Sequence, residues 1–341
     1  MAQRYAKDQP QGFTNHIKKV AIIGAGGQLG KHLVEGLIRN GKHTVTAITR
    51  PSSTNELPSG IQVTRVDYNS DDDTALIEAL RGHDALLITM AVTAPPDTII
   101  KLIRGAAKAG IPYILPNWFG HDADNDALCD DSFLTPNRDR VINEIKSLGV
   151  SSYLLLGCNF WYEFSLGGGP DRYGFDFQKR SFVIFDKGDV AINTSTWPQC
   201  GRAIAKLLSL KELPDDETDK SPTLSQFRNG SLYISSFRLT QLDMFEAVKR
   251  VTKTTDADWT ITHESAEDRW KDGQTELKKG NWGAFTKMLY SRMFFPGTKD
   301  GDFETTRGLA NDLIGLPVED LDEATAVGVR MGENEEVPYS H

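Results

Sequence analysis

Cysteine is scarce here: Cys129, Cys158 and Cys200 are the three in 341 residues. That is too few and too scattered for a disulfide framework, and no two stand at metal-ligand spacing, so buried small hydrophobes and no metal site are expected. Basic residues are in deficit, with 38 Lys and Arg against 47 Asp and Glu and a net charge of −9. A charge of that sign repels phosphate backbones and anionic lipid, so neither nucleic acid nor a membrane is an expected partner. No uninterrupted apolar run reaches about 18 residues, and the opening MAQRYAKDQPQGFTNHIKK has no apolar signal region. A cytoplasmic protein is expected. No Ser nucleophile elbow is found, which leaves hydrolase chemistry without support.

What the chain does contain is an alternation. Val20–Ile23, Thr44–Thr49, Ile61–Val66, Ala85–Met90, Tyr113–Leu115 and Tyr153–Leu156 are short apolar or β-branched runs. Between them lie helical patterns: Leu29, Leu33, Val34, Leu37 and Ile38; Leu76, Ile77 and Leu80 behind a cap at Ser70; Pro95 to Gly110; and Arg138 to Leu148. Strands alternating with helices predict an α/β fold, a Rossmann-type doubly wound parallel sheet. Beyond residue 157 the rhythm gives way to Phe160, Trp161, Tyr162, Phe164, Tyr173, Phe175, Phe177, Phe182 and Phe185, and later to Trp282, Phe285, Met288, Tyr290, Met293, Phe294 and Phe295. The expected organisation is a polar lead (1–17), a dinucleotide-binding Rossmann domain (18–157), a smaller C-terminal α/β substrate region partly returning to the main sheet (158–330), and a frayed tail (331–341). The aromatic rings serve as core for that region, and some face a cleft for a flat ligand, with Trp118, Phe160, Trp161 and Phe164 as the substrate candidates.

The chemical signal is the turn from first strand to first helix, Gly24-Ala25-Gly26-Gly27-Gln28-Leu29-Gly30. A triphosphate loop would need Gly at 25 and Ser or Thr at 32, where Ala25 and His32 stand. G-x-G-x-x-G fails at Leu29, whereas G-x-x-G-x-x-G fits Gly24, Gly27 and Gly30. Gly24, Gly26, Gly27, Gln28, Leu29 and Gly30 are therefore the expected diphosphate contacts. About twenty residues on, no acid awaits a ribose 2′-hydroxyl; Arg50 and Ser52 stand there, suited to a 2′-phosphate, and NADP(H) is the expected cofactor. Asp67 closes the third strand near the adenine, and Met90, Asn117 and Asn159 are expected at the nicotinamide end.

VAIIGAGGQLGKHLVEGL, Arg50, Asp67-Tyr68, Pro116-Asn117-Trp118-Phe119-Gly120-His121-Asp122, Gly157 to Glu163, Gly201 to Ala205 and Leu313 to Pro317 together carry a resemblance. The chain resembles the NmrA-like and isoflavone reductase-like branch of atypical short-chain dehydrogenases, fungal CipA-type members in particular, over roughly residues 18 to 325. The resemblance implies NADPH-dependent reduction of an aromatic or conjugated carbonyl small molecule by a monomer or homodimer. It equally admits a non-catalytic redox sensor of the NmrA type, or an isomerase or cyclase. The Y-x-x-x-K pair of familiar dehydrogenases is absent from the first half, and where the reductase branch carries a lysine this chain has Arg138. Arginine stabilises charge but transfers no proton near neutral pH. His121 and Tyr162 join Arg138 as catalytic candidates.

Overall fold

The computed structural model describes residues 4–91 and 94–337; the outermost residues of the lead (1–3) and of the expected tail (338–341) lie outside them. The first half alternates as its sequence predicts. β1 (Lys19–Ile23), β2 (Thr44–Thr49), β3 (Gln62–Arg65), β4 (Ala85–Ile88), β5 (Tyr113–Leu115), β6 (Phe119–Gly120) and β7 (Ser152–Gly157) are interleaved with α1 (Gln28–Asn40), α2 (Thr74–Leu80), α3 (Pro96–Ala109), α4 (Asp126–Asp131) and α5 (Thr135–Leu148). Pairings within this set are parallel, in the spatial order β3-β2-β1-β4-β5-β7, with β6 also against β7. β4, β5 and β7 are buried along their whole length, so they read as unbroken apolar runs. The chain switches sides between β1 and β4, where α/β sheets open a crevice. α2 starts later than its expected cap, because Ser70 and Asp72 accept local backbone N–H groups at 3.3 and 2.9 Å and so form turns ahead of Thr74.

The second half adds β8 (Phe160–Trp161), β9 (Phe175–Asp176), β10 (Ser181–Phe185), β11 (Ile192–Ser195), β12 (Gly230–Tyr233), β13 (Phe237–Leu239) and β14 (Thr260–Glu264). Its helices are α6 (Tyr162–Leu166), α7 (Trp197–Leu208), α8 (Gln241–Thr252), α9 (Ala266–Lys278), α10 (Ala284–Met293), α11 (Phe303–Thr306) and α12 (Leu321–Glu333). Two three-stranded sheets form, β14-β10-β9 and β13-β11-β8, around an aromatic core of Tyr162, Tyr173, Phe175, Phe182 and Phe294. Two segments instead return to the main sheet. β12 pairs parallel with β7, bringing that sheet to eight strands, and α7 covers its face beside α1. Leu33, Val34, Leu37, Ile204 and Leu207 fill that side; Leu80, Leu102, Ile103 and Ile145 fill the other. Val337 is buried in the first of these cores, whereas Trp282 stands 79% exposed between α9 and α10. Among the described residues no helix is long and apolar enough to cross a membrane.

α1 and α7 touch through backbone. A Cβ on Gly36 would lie 2.3 Å from the carbonyl oxygen of Gly201, and one on Gly201 would lie 2.1 Å from that of His32. Alanine at either position gains up to about 1 kcal/mol in helix propensity but forces the two helices apart, an overpacking cost of about 1–3 kcal/mol. Gly201→Ala and Gly36→Ala are each expected to lower the urea midpoint in equilibrium unfolding. An unchanged or raised midpoint would show that the helices separate freely.

Candidate dinucleotide and substrate site

The glycines of the first turn divide their work. Gly24 has φ of +87°, and a Cβ there would lie 2.1 Å from the Thr89 carbonyl oxygen. A Cβ on Gly30 would lie 2.0 Å from the carbonyl oxygen of Gly24, so both residues serve close packing of helix on strand. Gly27 is different: it caps α1 with φ of −76° and no side chain, and a Cβ there would meet only the Gly24 oxygen at 3.2 Å. The first turn of α1 holds no acid and no side-chain cap. Its leading N–H groups are thus left for an external acceptor, and a diphosphate fits both their charge and the open space at Gly27. The β2–β3 connection folds over the turn, since a Cβ on Gly26 would lie 2.9 Å from the Asn55 Cβ and 2.8 Å from the Glu56 carbonyl oxygen.

At the expected adenosine end Arg50 and Ser52 are exposed, and Arg50 hydrogen-bonds the Tyr68 hydroxyl. Asp67 is also exposed and accepts the Asn69 N–H at 3.0 Å in a local turn. A second arginine joins them that the sequence reading passed over. Arg65 stands opposite Thr49 in the β2–β3 register and reaches the carbonyls of Arg50, Pro51 and Ser53 at 3.4–3.5 Å. Its only signal in the sequence was its place at the end of the neighbouring strand.

At the other end Asn117 exchanges two hydrogen bonds with the backbone of Met90, at 2.9 and 3.2 Å, and so braces the tips of β4 and β5. Asn159, at the tip of β7, has φ of +53° and donates Nδ2 to the Asn193 carbonyl at 2.8 Å, while its buried Oδ1 has no partner. These three residues stand at the carboxyl ends of three adjacent strands, the edge where a nicotinamide is held in this class of sheet.

Beside them a narrow cleft is lined by Pro116, Asn117, Trp118, Asn137, Arg138 and Val141. Arg138 is buried, and its guanidinium donates to the Ala123 carbonyl and to Asp126 and Asp139, each at 2.8 Å. His121 lies behind Trp118, ring centroids 5.2 Å apart, with Nε2 3.8 Å from the Cys129 Sγ. Burial holds its imidazole down at about 4, against the pull of Asp122 and helped by Arg138 and Arg292. Tyr162 is set apart from this cleft: fully buried in the aromatic core, its hydroxyl 2.7 Å from Thr325 Oγ1, its pKa raised by burial.

The aromatic candidates separate by register. Phe160 points into the small-region core and stacks on Tyr290 at 3.7 Å, whereas Trp161 and Phe164 turn the other way and pack half-buried against the α1–α7 face. Trp197, the first residue of α7, lies 6.0 Å from Trp161 and 5.6 Å from Phe164, and stacks on His32 of α1 at 5.8 Å. Glu163 sits among them, accepting the Trp197 N–H at 2.9 Å on Oε1. Burial pushes its carboxyl up to about 7, against the hydrogen bonds from its own and the Trp197 backbone.

Comparisons with known proteins agree with this geometry. A family model for NAD(P)H-binding domains matches residues 24–126. The oxidoreductase aprR of Aspergillus flavus is 27% identical over 318 residues, covering 90% of this chain and 97% of that protein. Among solved structures, one from the pinoresinol-lariciresinol and phenylcoumaran benzylic ether reductases superposes with a TM-score of 0.70 at 20% identity, covering 91% of this chain and 99% of that one. AtPrR2 with NADP+ and (+)pinoresinol gives 0.65 at 17% identity over 93% and 100%. At such identities the structures speak for the fold, while the sequence relative spans nearly the whole length. The NAD(P)H-binding match, the full-length fungal oxidoreductase relative and the shared fold support the resemblance of this chain to the NmrA-like, isoflavone reductase-like family.

Proposed function

We propose that this protein is an NADPH-dependent reductase of a planar aromatic or conjugated carbonyl compound. The observation that carries the reading is the uncapped, acid-free N-terminus of α1, set in line with Arg50 and Arg65 at one end and Met90, Asn117 and Asn159 at the other. When bound, NADPH supplies the hydride. The backbone of Gly27 to Leu29 holds its diphosphate, the two arginines neutralise the 2′-phosphate, and Asn117 and Asn159 orient the nicotinamide. Trp118 lines the substrate cleft. Arg138, facing that cleft in part, stabilises negative charge developing on the substrate oxygen; as a guanidinium it moves no proton. A second reading has its own support. Arg138 is already tied to two carboxylates, His121 is neutral and enclosed, and Tyr162 lies in the core, which is what a non-catalytic dinucleotide sensor would tolerate.

Three outcomes are expected. Arg50→Ala is expected to weaken NADPH about tenfold to a hundredfold by calorimetric titration, the worth of a charge-assisted contact, and to leave NADH nearly unchanged. Equal affinity of the parent for both cofactors would reject the 2′-phosphate assignment. Across aromatic ketones, quinones and enones, loss of NADPH absorbance is expected with at least one substrate. Arg138→Met is expected to slow that turnover by about a hundredfold without changing NADPH affinity. Tight NADPH binding with no turnover of any compound would instead favour the sensor.

Two buried groups add a dependence on pH. His121 has a folded pKa below its free value, so its contribution to stability is complete above about 6.5 and is lost as pH falls toward about 4. Glu163 is the reverse: its contribution is complete below about 4.5 and is lost as pH rises through about 7. Each is worth about 3 kcal/mol at most, and between pH 4.5 and 6.5 they offset one another. Relative to the parent, His121→Asn is expected to gain stability as pH is lowered through that window, and Glu163→Gln as pH is raised through it, read from urea midpoints at four pH values. Parallel curves for all three proteins would show that both groups titrate as free side chains.

A further inference from the structure

Among the described residues six buried side-chain atoms lack any hydrogen-bond partner, and five of them belong to Asn159, Trp161, Glu163, Arg172 and Trp197. Orphaned buried polar atoms are rare because each costs about 1–3 kcal/mol, so five gathered just past the carboxyl end of β7 call for a common cause. Three of the five are N–H donors: Nε1 of Trp161, Nε1 of Trp197 and Nε of Arg172. Phe164 is their shared neighbour. The Arg172 guanidinium lies 4.5 Å from its ring centroid, and the Trp161 and Trp197 rings are 5.9 and 5.6 Å away.

Arg172 is the unusual member. It is 6% exposed, yet its partners are the Gly168 carbonyl and the Tyr290 hydroxyl, both neutral, and its chain neighbour Asp171 turns to Arg269 at 3.7 Å. A buried guanidinium left without an anion is costly, whereas one that meets its anion in a ligand is a recognition device. Trp161, Phe164 and His32 are only half-buried, so the cluster reaches the surface beside the second turn of α1.

From this arrangement we infer that the substrate carries a carboxylate or equivalent oxyanion, bound by Arg172 and the indole N–H groups of Trp161 and Trp197, with its flat apolar body against Phe164. The inference rests on the reductase reading and narrows its substrate class to anionic aromatic or conjugated acids. Burial raises the Glu163 carboxyl to about 7, so below neutral pH it is mostly protonated and does not oppose the anion. The planar fork of Arg172 matches a carboxylate, and its contact with the Phe164 face is satisfied whether or not the anion is bound.

The test uses calorimetric titration of the full chain, with and without NADPH, against two acid and amide pairs: trans-cinnamate with trans-cinnamamide, and 2-naphthoate with 2-naphthamide. Each acid is expected to bind about tenfold to a hundredfold more tightly than its amide. In Arg172→Met that ratio is expected to fall to near one with NADPH affinity unchanged, while the ligand-free variant melts no lower than the parent, because an unpaired buried charge has gone. Should that variant not fold, Trp161→Phe keeps the ring, deletes one donor and is expected to lower the acid-to-amide ratio severalfold. Equal binding of acid and amide, no binding of either acid, or a preference surviving in both variants would overturn the inference. Loss of NADPH affinity in Arg172→Met would overturn it as well, by making the guanidinium a contact of the cofactor phosphate. Failure of the parent to bind NADPH would instead sink the reductase reading, and the acid-to-amide comparison in the free chain would still decide this one.

Discussion

Backbone touching backbone along α1, against the first turn and against α7, is the constraint from which the rest follows. Gly30 lets the helix start against the Gly24 carbonyl, and Gly36 lets it cross α7 at Gly201, so the helix is fixed at two points about one and two-thirds turns apart. The first contact aims the open N–H groups at the crevice above the switch between β1 and β4. The second sets the start of α7, and with it Trp197, beside His32. The dinucleotide end and the aromatic cluster are therefore positioned by the same rigid rod.

A second tie runs through charge. The loop after β6 steadies the narrow cleft through the Ala123 carbonyl, which accepts from Arg138, and it is itself held by side chains from the second half of the chain. Asp122 accepts from Arg307 at 2.7 Å and from the Tyr233 hydroxyl, and Asp131 accepts from Arg292 at 2.6 Å, which also reaches Asp300 at 2.8 Å. These pairs have little exposed surface on at least one partner, where screening is weak and loss of one partner leaves a buried charge. Geometry around His121 and Arg138 thus depends on residues nearly two hundred positions away.

That dependence explains what was legible in the sequence and what was not. The parallel sheet was legible because β4, β5 and β7 are buried on both faces and run apolar without alternation, and the phosphate turn was legible because close backbone approach requires glycine at Gly24, Gly26 and Gly30. Arg50 could be counted from the turn. Arg65 could not, since its approach to the same loop depends on the β2–β3 register rather than on spacing along the chain. The aromatic segment was visible as a density, but its division was not: Phe160 and Trp161 are consecutive on a strand and so face opposite cores, a choice set by which sheets lie on either side. Arg172 gave no signal at all, because an arginine reads as a surface residue until its surroundings are known. His121 stood out as a histidine on a loop at the correct edge, yet its neutral state comes from the enclosure built by Trp118, Cys129 and the charges behind them.

The placement of β12 bears on how the molecule is made. Its strand completes the main sheet from residues 230–233, and α7, which shields one face of that sheet, spans residues 197–208. A nascent chain that has emerged only as far as β7 therefore presents an unpaired strand edge and an uncovered apolar layer, the surface that recruits other chains into aggregates. At synthesis rates of about 5–20 residues per second, some 75 further residues must leave the ribosome before that edge is closed, several seconds in which a chaperone or a neighbouring ribosome's product competes for it. The long reach that lets one half of the chain shape the other's crevice also makes the half-made protein the vulnerable one.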